Sequence, residues 1–152
     1  MNTAKDLATV ELFEGLSADD LGAFAAIAQE VRFDAGQEVY AAGSAGDSMY
    51  VIIEGTFAVR VKDEHGEEVD VAALKPGSYF GEMEVVGGMN RTAAVVSDAE
   101  GRGYRFDATA LTGLLKKNAK AAAHFYRQVS RELVRRLKST TRDMGYFKAR
   151  ST

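Results

Sequence analysis

Hydrophobic and polar positions divide this chain into three stretches with different periods. Ser17-Ala18-Asp19-Asp20 opens the first, and Leu21, Phe24, Ile27 and Ala28 follow at helical spacing. Ser17 suits the N-cap, and the two aspartates suit the positive end of the helix dipole. From Val31 the period drops to two. Val39, Met49, Val51 and Ile53 read as strand residues. Phe57, Val59 and Val61 alternate with Ala58, Arg60 and Lys62, the signature of a half-buried strand. Glu64-His65-Gly66 predicts a hairpin turn, with Val69, Val71 and Ala73 on the returning strand, and Pro76-Gly77 marks another turn. Val95 and Tyr104-Arg105-Phe106 give the closing strands. Many short strands broken by glycine predict a barrel or roll.

Past Asp107, a candidate N-cap, the helical period returns. Leu111, Leu114 and Leu115 predict a short helix. Residues 118–144 then run without proline or glycine until Gly145, about 27 residues or roughly 40 Å. Tyr126, Val129, Leu133, Leu137, Thr140 and Met144 form an apolar stripe on this segment. Such a helix needs a partner surface. The roll can cover its first half, and a second copy the rest, which predicts a symmetric homodimer. The expected fold class is α+β, mainly β: a single domain over residues 1–152, with a helix and β-roll over 12–107 and C-terminal helices over 108–146.

Composition narrows the function classes. The chain has 152 residues, 46% of them hydrophobic and 27% charged, ordinary for one globular domain. It has no cysteine, which excludes disulfides and thiolate chemistry. Of its two histidines, His65 sits in a polar turn and His124 lies beside Phe125 with no clustered partner, so no metal site is expected. No apolar run reaches the ~20 residues of a membrane span, and the N-terminus lacks a signal-peptide core. A cytoplasmic location is expected. Charge is uneven: residues 1–114 carry 8 basic and 20 acidic side chains, residues 115–152 carry 11 and 2. The basic helix complements its own C-terminal dipole and the acidic region before it. The alternative is contact with nucleic acid or an acidic partner.

Residues 80–95 concentrate the candidate chemistry: Phe80-Gly81-Glu82-Met83-Glu84-Val85-Val86-Gly87-Gly88-Met89-Asn90-Arg91-Thr92-Ala93-Ala94-Val95. A short helix opening here points backbone N–H groups of Met83 and Glu84 at an anion. Gly81, without a Cβ, permits close approach. Arg91 offers a charge-assisted bond to a phosphate, and Thr92 a hydroxyl to the same oxygens. Ionised Glu82 can accept from a sugar hydroxyl. The alternative is a plain strand–turn–strand in which Glu82 and Arg91 form only a salt bridge.

This segment resembles the phosphate-binding cassette of cyclic nucleotide-binding domains. Phe33-Asp34-Ala35-Gly36-Gln37-Glu38-Val39-Tyr40 and Gly46-Asp47-Ser48-Met49-Tyr50-Val51-Ile52-Ile53-Glu54-Gly55 resemble that family's earlier strands and turns. Arg135-Arg136-Leu137-Lys138-Ser139-Thr140-Thr141 is similar to the dimer helix of the Crp/Fnr-like catabolite activator branch. The resemblance implies a jelly-roll, a double-stranded β-helix flanked by an N-terminal helix and a long C-terminal helix. It implies a cyclic nucleotide ligand, cyclic AMP favoured over cyclic GMP, and no other cofactor. Arg91, Thr92 and the backbone of Gly81, Met83 and Glu84 would hold the phosphate and Glu82 the ribose. Val59, Val71 and Leu74 would floor the pocket, and Thr140 and Thr141 would cap the base. Two positions depart from the pattern. Asn90 replaces the common proline, and Glu84 stands where a small residue is usual. Pointing inward, Glu84 would weaken anion binding; pointing outward, it would be harmless.

That branch continues into a helix-turn-helix, which residues 146–152 are too few to form, so direct DNA reading by that motif is not expected. The expected function is a stand-alone sensor whose C-terminal helix signals to an unknown protein partner. The alternatives are a ligand-free dimerisation module of the same fold, or a binder of cyclic GMP or cyclic di-GMP. No poised nucleophile–base pair or Walker-type loop suggests an enzyme.

Overall fold

The computed structural model describes the backbone of residues 2–151 and the side chains of residues 2–139. The chain begins with α1 (Thr3–Leu7), a 3-10 turn (Glu11–Phe13) and α2 (Ala18–Ile27). Five strands follow: β1 (Gln29–Phe33), β2 (Glu38–Tyr40), β3 (Ser48–Glu54), β4 (Phe57–Lys62) and β5 (Glu68–Leu74). After β6 (Tyr79–Phe80) come α3 (Glu82–Gly87), β7 (Ala94–Ser97), β8 (Gly101–Asp107), α4 (Ala108–Lys117) and α5 (Ala119–Ser151). The strands pair in antiparallel fashion in two four-stranded sheets, ordered β1-β8-β3-β6 and β2-β7-β4-β5. This is the expected jelly-roll with flanking helices.

Local chemistry accounts for the element ends. Ser17 Oγ accepts from the backbone N–H of Asp20 at 3.2 Å and starts α2. Asp107 accepts from the N–H groups of Thr109 and Ala110 and starts α4. Asn118 ends α4, and its Oδ1 takes the N–H of Ala121 in the first turn of α5 at 3.0 Å. Caps of this kind contribute about 1 kcal/mol each.

The core has two compartments, and β3 divides them. Met49 and Val51 are buried with Phe24, Phe106, Leu111 and Phe125 between the roll and the helices. The alternate residue Ile52 is buried inside the roll with Phe33, Phe57, Phe80 and Val95. Period two sends successive side chains to opposite faces, so a strand covered on both faces becomes apolar at every position.

Three expectations about the elements need correction. The N-terminal region carries two elements that no periodicity announced. Leu7, Val10, Leu12 and Phe13 are all buried against the helical compartment. Asp6 anchors them to β8, accepting from Arg102 Nη1 at 2.8 Å and from the Tyr104 hydroxyl at 2.6 Å. Second, β5 does not alternate as expected. Val59 pairs with Ala72 but Arg60 pairs with Asp70, so Val71 is the extra residue of a β-bulge. Its side chain is 58% exposed. Third, α5 continues through Gly145 to Ser151. One glycine costs a helix only about 1 kcal/mol, which is not a stop by itself.

The roll covers the first half of α5. Ala121, Phe125 and Val129 are buried, and Leu133 packs on the same compartment. His124 has a packing role, its Nε2 lying 3.0 Å from the carbonyl of Leu12. Beyond that point the apolar face is open: Val134 is 54% and Leu137 63% exposed. Tyr126, expected on the covered stripe, is also exposed.

Candidate functional site

A cavity of about 360 Å³ lies between the inner face of the roll, α3 and α5. Its apolar walls are Val59, Ala72, Leu74, Phe80 and Val95, with Tyr40 at one side. Residues 81–84 and Thr92 form its polar end, and Glu132 and Arg136 of α5 close over it. A larger open groove of about 850 Å³ lies on another face of α5, lined by Arg127, Arg131 and Arg135 with Glu11 and Glu14. The smaller cavity is the better candidate. It combines apolar walls with buried, convergent polar groups, and its volume falls in the usual range for ligand sites.

Gly81 sets the geometry of the polar end. It has φ +85° and precedes α3 directly, and a Cβ there would lie 2.8 Å from Arg91 Nη1. Only glycine fits both demands without strain. The chain then places Glu82 and Glu84 in the first turn of α3, both buried. Glu84 is held from behind by Gly46, where a Cβ would come within 2.5 Å of the Glu84 Cβ and 2.3 Å of the Met89 carbonyl.

Glu82 is 2% exposed, and its Oε1 lies 3.4 Å from Arg136 Nη1. Burial pushes its carboxyl upward from the ordinary range, and its own backbone N–H and Arg136 partly offset that. Arg136 also approaches Glu132 Oε1 at 3.3 Å and Met83 Sδ at 3.6 Å. The ribose candidate and the C-terminal helix are therefore joined by an ion pair.

Arg91 is 3% exposed and fully engaged at its terminal nitrogens. Nη1 donates to the carbonyl of Gly81 at 3.1 Å and to Glu84 Oε1 at 3.4 Å. Nη2 donates to the carbonyl and hydroxyl of Ser48. The guanidinium stacks 3.9 Å above the ring of Tyr40. Burial in this cluster pushes the Tyr40 hydroxyl up, so it stays protonated.

The expected site residues are thus largely brought together. Gly81, Glu82, Met83, Glu84, Thr92, Val59 and Leu74 line one cavity. Arg91 lies against it but behind Glu84, which occupies the lining in its place. Val71 does not belong to the floor: the bulge turns it to the surface, and Ala72 takes that position. Thr140 and Thr141 lie outside the described side chains. Sequence reasoning missed Tyr40, Ala72, Glu132 and Arg136. Tyr40 and Arg136 lie inside motifs quoted above, but no local spacing links Arg136 to Glu82, 54 residues away in sequence.

Comparison with known proteins fits this geometry. The sequence profile described as the cyclic nucleotide-binding domain matches residues 30–118. A CRP-like cAMP-activated global transcriptional regulator of Mycobacterium tuberculosis is 28% identical over 139 residues, covering 91% of this chain and 60% of that protein. A cAMP-dependent protein kinase regulatory subunit of Mucor circinelloides f. lusitanicus is 36% identical over 91 residues, covering 60% of this chain and 21% of that protein. The chain therefore spans less than two thirds of either relative. Among solved structures, the catabolite activator protein of Thermus thermophilus superposes with a TM-score of 0.80 at 20% identity, over 91% of this chain and 63% of that one. The N-terminal domain of a transcriptional regulator from Streptomyces coelicolor A3(2) gives 0.75 at 25% identity, over 86% and 93%. The profile match covers more than half of the chain and includes the whole polar end of the cavity, so this protein belongs to the cyclic nucleotide-binding domain family.

Proposed function

We propose that the chain is a regulatory sensor that takes a cyclic mononucleotide into the 360 Å³ cavity and reports it through α5. The observation that carries this reading is the placement of Glu82. It is buried at the cavity's polar end and paired at 3.4 Å with Arg136 of α5. A ribose hydroxyl donating to Glu82 competes with Arg136 for that carboxylate. Ligand binding thereby changes what holds α5 against the roll, which is the differential contact a population shift requires. The phosphate sits at the end formed by residues 81–84, Arg91 and Thr92. The base lies against Val59 and Leu74.

Cyclic AMP is the favoured ligand, because the two sequence relatives described above are a cAMP-activated regulator and a regulatory subunit of a cAMP-dependent protein kinase. The protein acts as a binding module rather than an enzyme. The open apolar face of α5 beyond Leu133 serves a homodimer, and an unknown protein partner reads the helix.

The test is calorimetric titration of nucleotide-stripped protein with cyclic AMP, cyclic GMP and cyclic di-GMP. Saturable one-to-one binding of cyclic AMP, weakened at least tenfold by Glu82→Gln, is the expected result. Absence of binding to all of them at millimolar concentration removes the sensor reading and leaves a ligand-free dimerisation module.

A further inference from the structure

We infer that Glu84 is an internal anion that stands in for the ligand phosphate and holds down the nucleotide affinity of this chain. The inference rests on the reading that the cavity takes a cyclic nucleotide. Three features of the site point to it.

First, Glu84 is 7% exposed and its Oε1 lies 3.4 Å from Arg91 Nη1. A carboxylate and a phosphodiester are bound by a guanidinium in the same way, through oxygens in line with its N–H groups. Second, Glu84 lines the cavity and Arg91 does not. The other bonds of the terminal nitrogens run to Gly81 and Ser48, so neither Nη is left over for a ligand. A phosphate in this cavity that is to bond either Nη must take the position of the Glu84 carboxylate, since Nε is the one nitrogen of Arg91 without a partner among the described residues. Third, the backbone and Cβ that carry this carboxylate are held there. Met89 N–H donates to the carbonyl of Glu84 at 3.0 Å, and Gly46 packs so closely that any larger residue would displace its Cβ.

Charge makes the competition severe. Arg91 carries one positive charge, already matched by Glu84. Asp47 adds a further carboxylate 3.9 Å from Nη2. A phosphodiester entering beside Glu84 brings an additional negative charge into a site poorly reached by water, where like charges repel far more than in solution. Binding then requires Glu84 to swing away and be solvated, and the ligand must supply that energy.

The inference has an unusual signature, because stability and affinity move in opposite directions. Removing one partner of a buried ion pair leaves the other uncompensated and destabilises the free protein. The same removal opens the guanidinium to phosphate. The experiment measures cyclic AMP affinity and nucleotide-free Tm for the parent, Glu84→Ala and Glu84→Gln. The glutamine variant keeps the side-chain volume should the alanine variant fold poorly. The expected result is at least tenfold tighter binding in the variants together with a lower nucleotide-free Tm. Binding by the variants equal to or weaker than that of a binding parent overturns the role of Glu84 and leaves the cyclic nucleotide reading intact. No binding by any of these proteins at millimolar nucleotide overturns both.

Discussion

The two ends of the cavity contain the same chemical pair in opposite settings. At the phosphate end, Glu84 faces Arg91 at 3.4 Å, with side-chain exposures of 9% and 1%. At the sugar end, Glu82 faces Arg136 at the same 3.4 Å, but the arginine is 43% exposed. Distance alone would rank them equal. Burial separates them. The dry pair is costly to break from one side, because the remaining charge has no solvent to turn to. The half-wet pair contributes less, because water takes over at the Arg136 end, although Glu82 itself is buried. The first therefore keeps the free site closed until a ligand displaces Glu84. The second suits a contact made and released in function, since it joins α3 to the helix that leaves the roll.

Breaking the dry pair should have the largest effect. Arg91→Ala leaves Glu84 buried without its cation and removes the bonds to Gly81 and Ser48. The expected loss is about 3–5 kcal/mol, read as a lower midpoint in chemical denaturation. A loss below about 1 kcal/mol would mean that water reaches this pair as freely as the other. Arg91 is thus a structural residue as well as a ligand candidate, and loss of nucleotide binding in this variant is interpretable only beside a folding measurement.

Asp6 tests an intermediate setting. It holds α1 to β8 through Arg102 and Tyr104, and those two bonds keep its carboxyl below the ordinary range. Asp6→Asn should cost roughly 1.5–3 kcal/mol at neutral pH. A carboxyl lowered in the folded state contributes stability that is fully present above its unfolded pKa of about 3.9 and is lost as pH falls toward the folded value. The gap between parent and variant should therefore close below about pH 3.9. Thermal melts across pH 3 to 7 would show this, and a gap that stays constant would refute the assignment.

The smallest effect on stability belongs to the half-wet pair. Arg136→Ala should lower unfolding free energy by less than Arg91→Ala does, because Arg136 is half-exposed and only Glu82 is buried. It should nonetheless move Glu82. Burial already raises that carboxyl and Arg136 opposes the rise, so removing the arginine raises it further. A carboxyl raised by folding binds its proton more tightly in the native state, so stability falls as pH climbs from the ordinary carboxylate range to the raised value. That fall should be steeper in the variant. Carbon-detected NMR titration of Glu82 reads the shift directly, and an unchanged titration would place Arg136 outside the sugar site.

Much of this arrangement was legible along the chain. Ser17 and Asp107 announce helix starts because a cap is a local bond, closed within three residues. The turns at Gly66 and Gly77 are equally local, both with positive φ. The cassette from Gly81 to Thr92 stood out because its residue types are rarely useful together except around an anion. The N-terminal elements escaped notice because α1 has 5 residues and the 3-10 turn 3, too few for a period to show. Val71 was misplaced because a bulge shifts the alternation by one residue, and apolar side chains on an exposed strand read like apolar side chains on a buried one.

By itself, then, the sequence determined the order helix, β-roll, helix and the presence of an extra carboxylate in the cassette, and its resemblance to the family implied the jelly-roll class. It left two directions open for Glu84, and the tertiary structure decided between them. The side chain points inward because Gly46, on the loop before β3, closes against its Cβ while Arg91, on the loop before β7, draws its carboxylate. The same holds for Glu82, whose partner Arg136 lies 54 residues away in sequence. Local spacing fixes which face of a helical turn a residue occupies. What waits on that face is set by segments the local pattern does not contain.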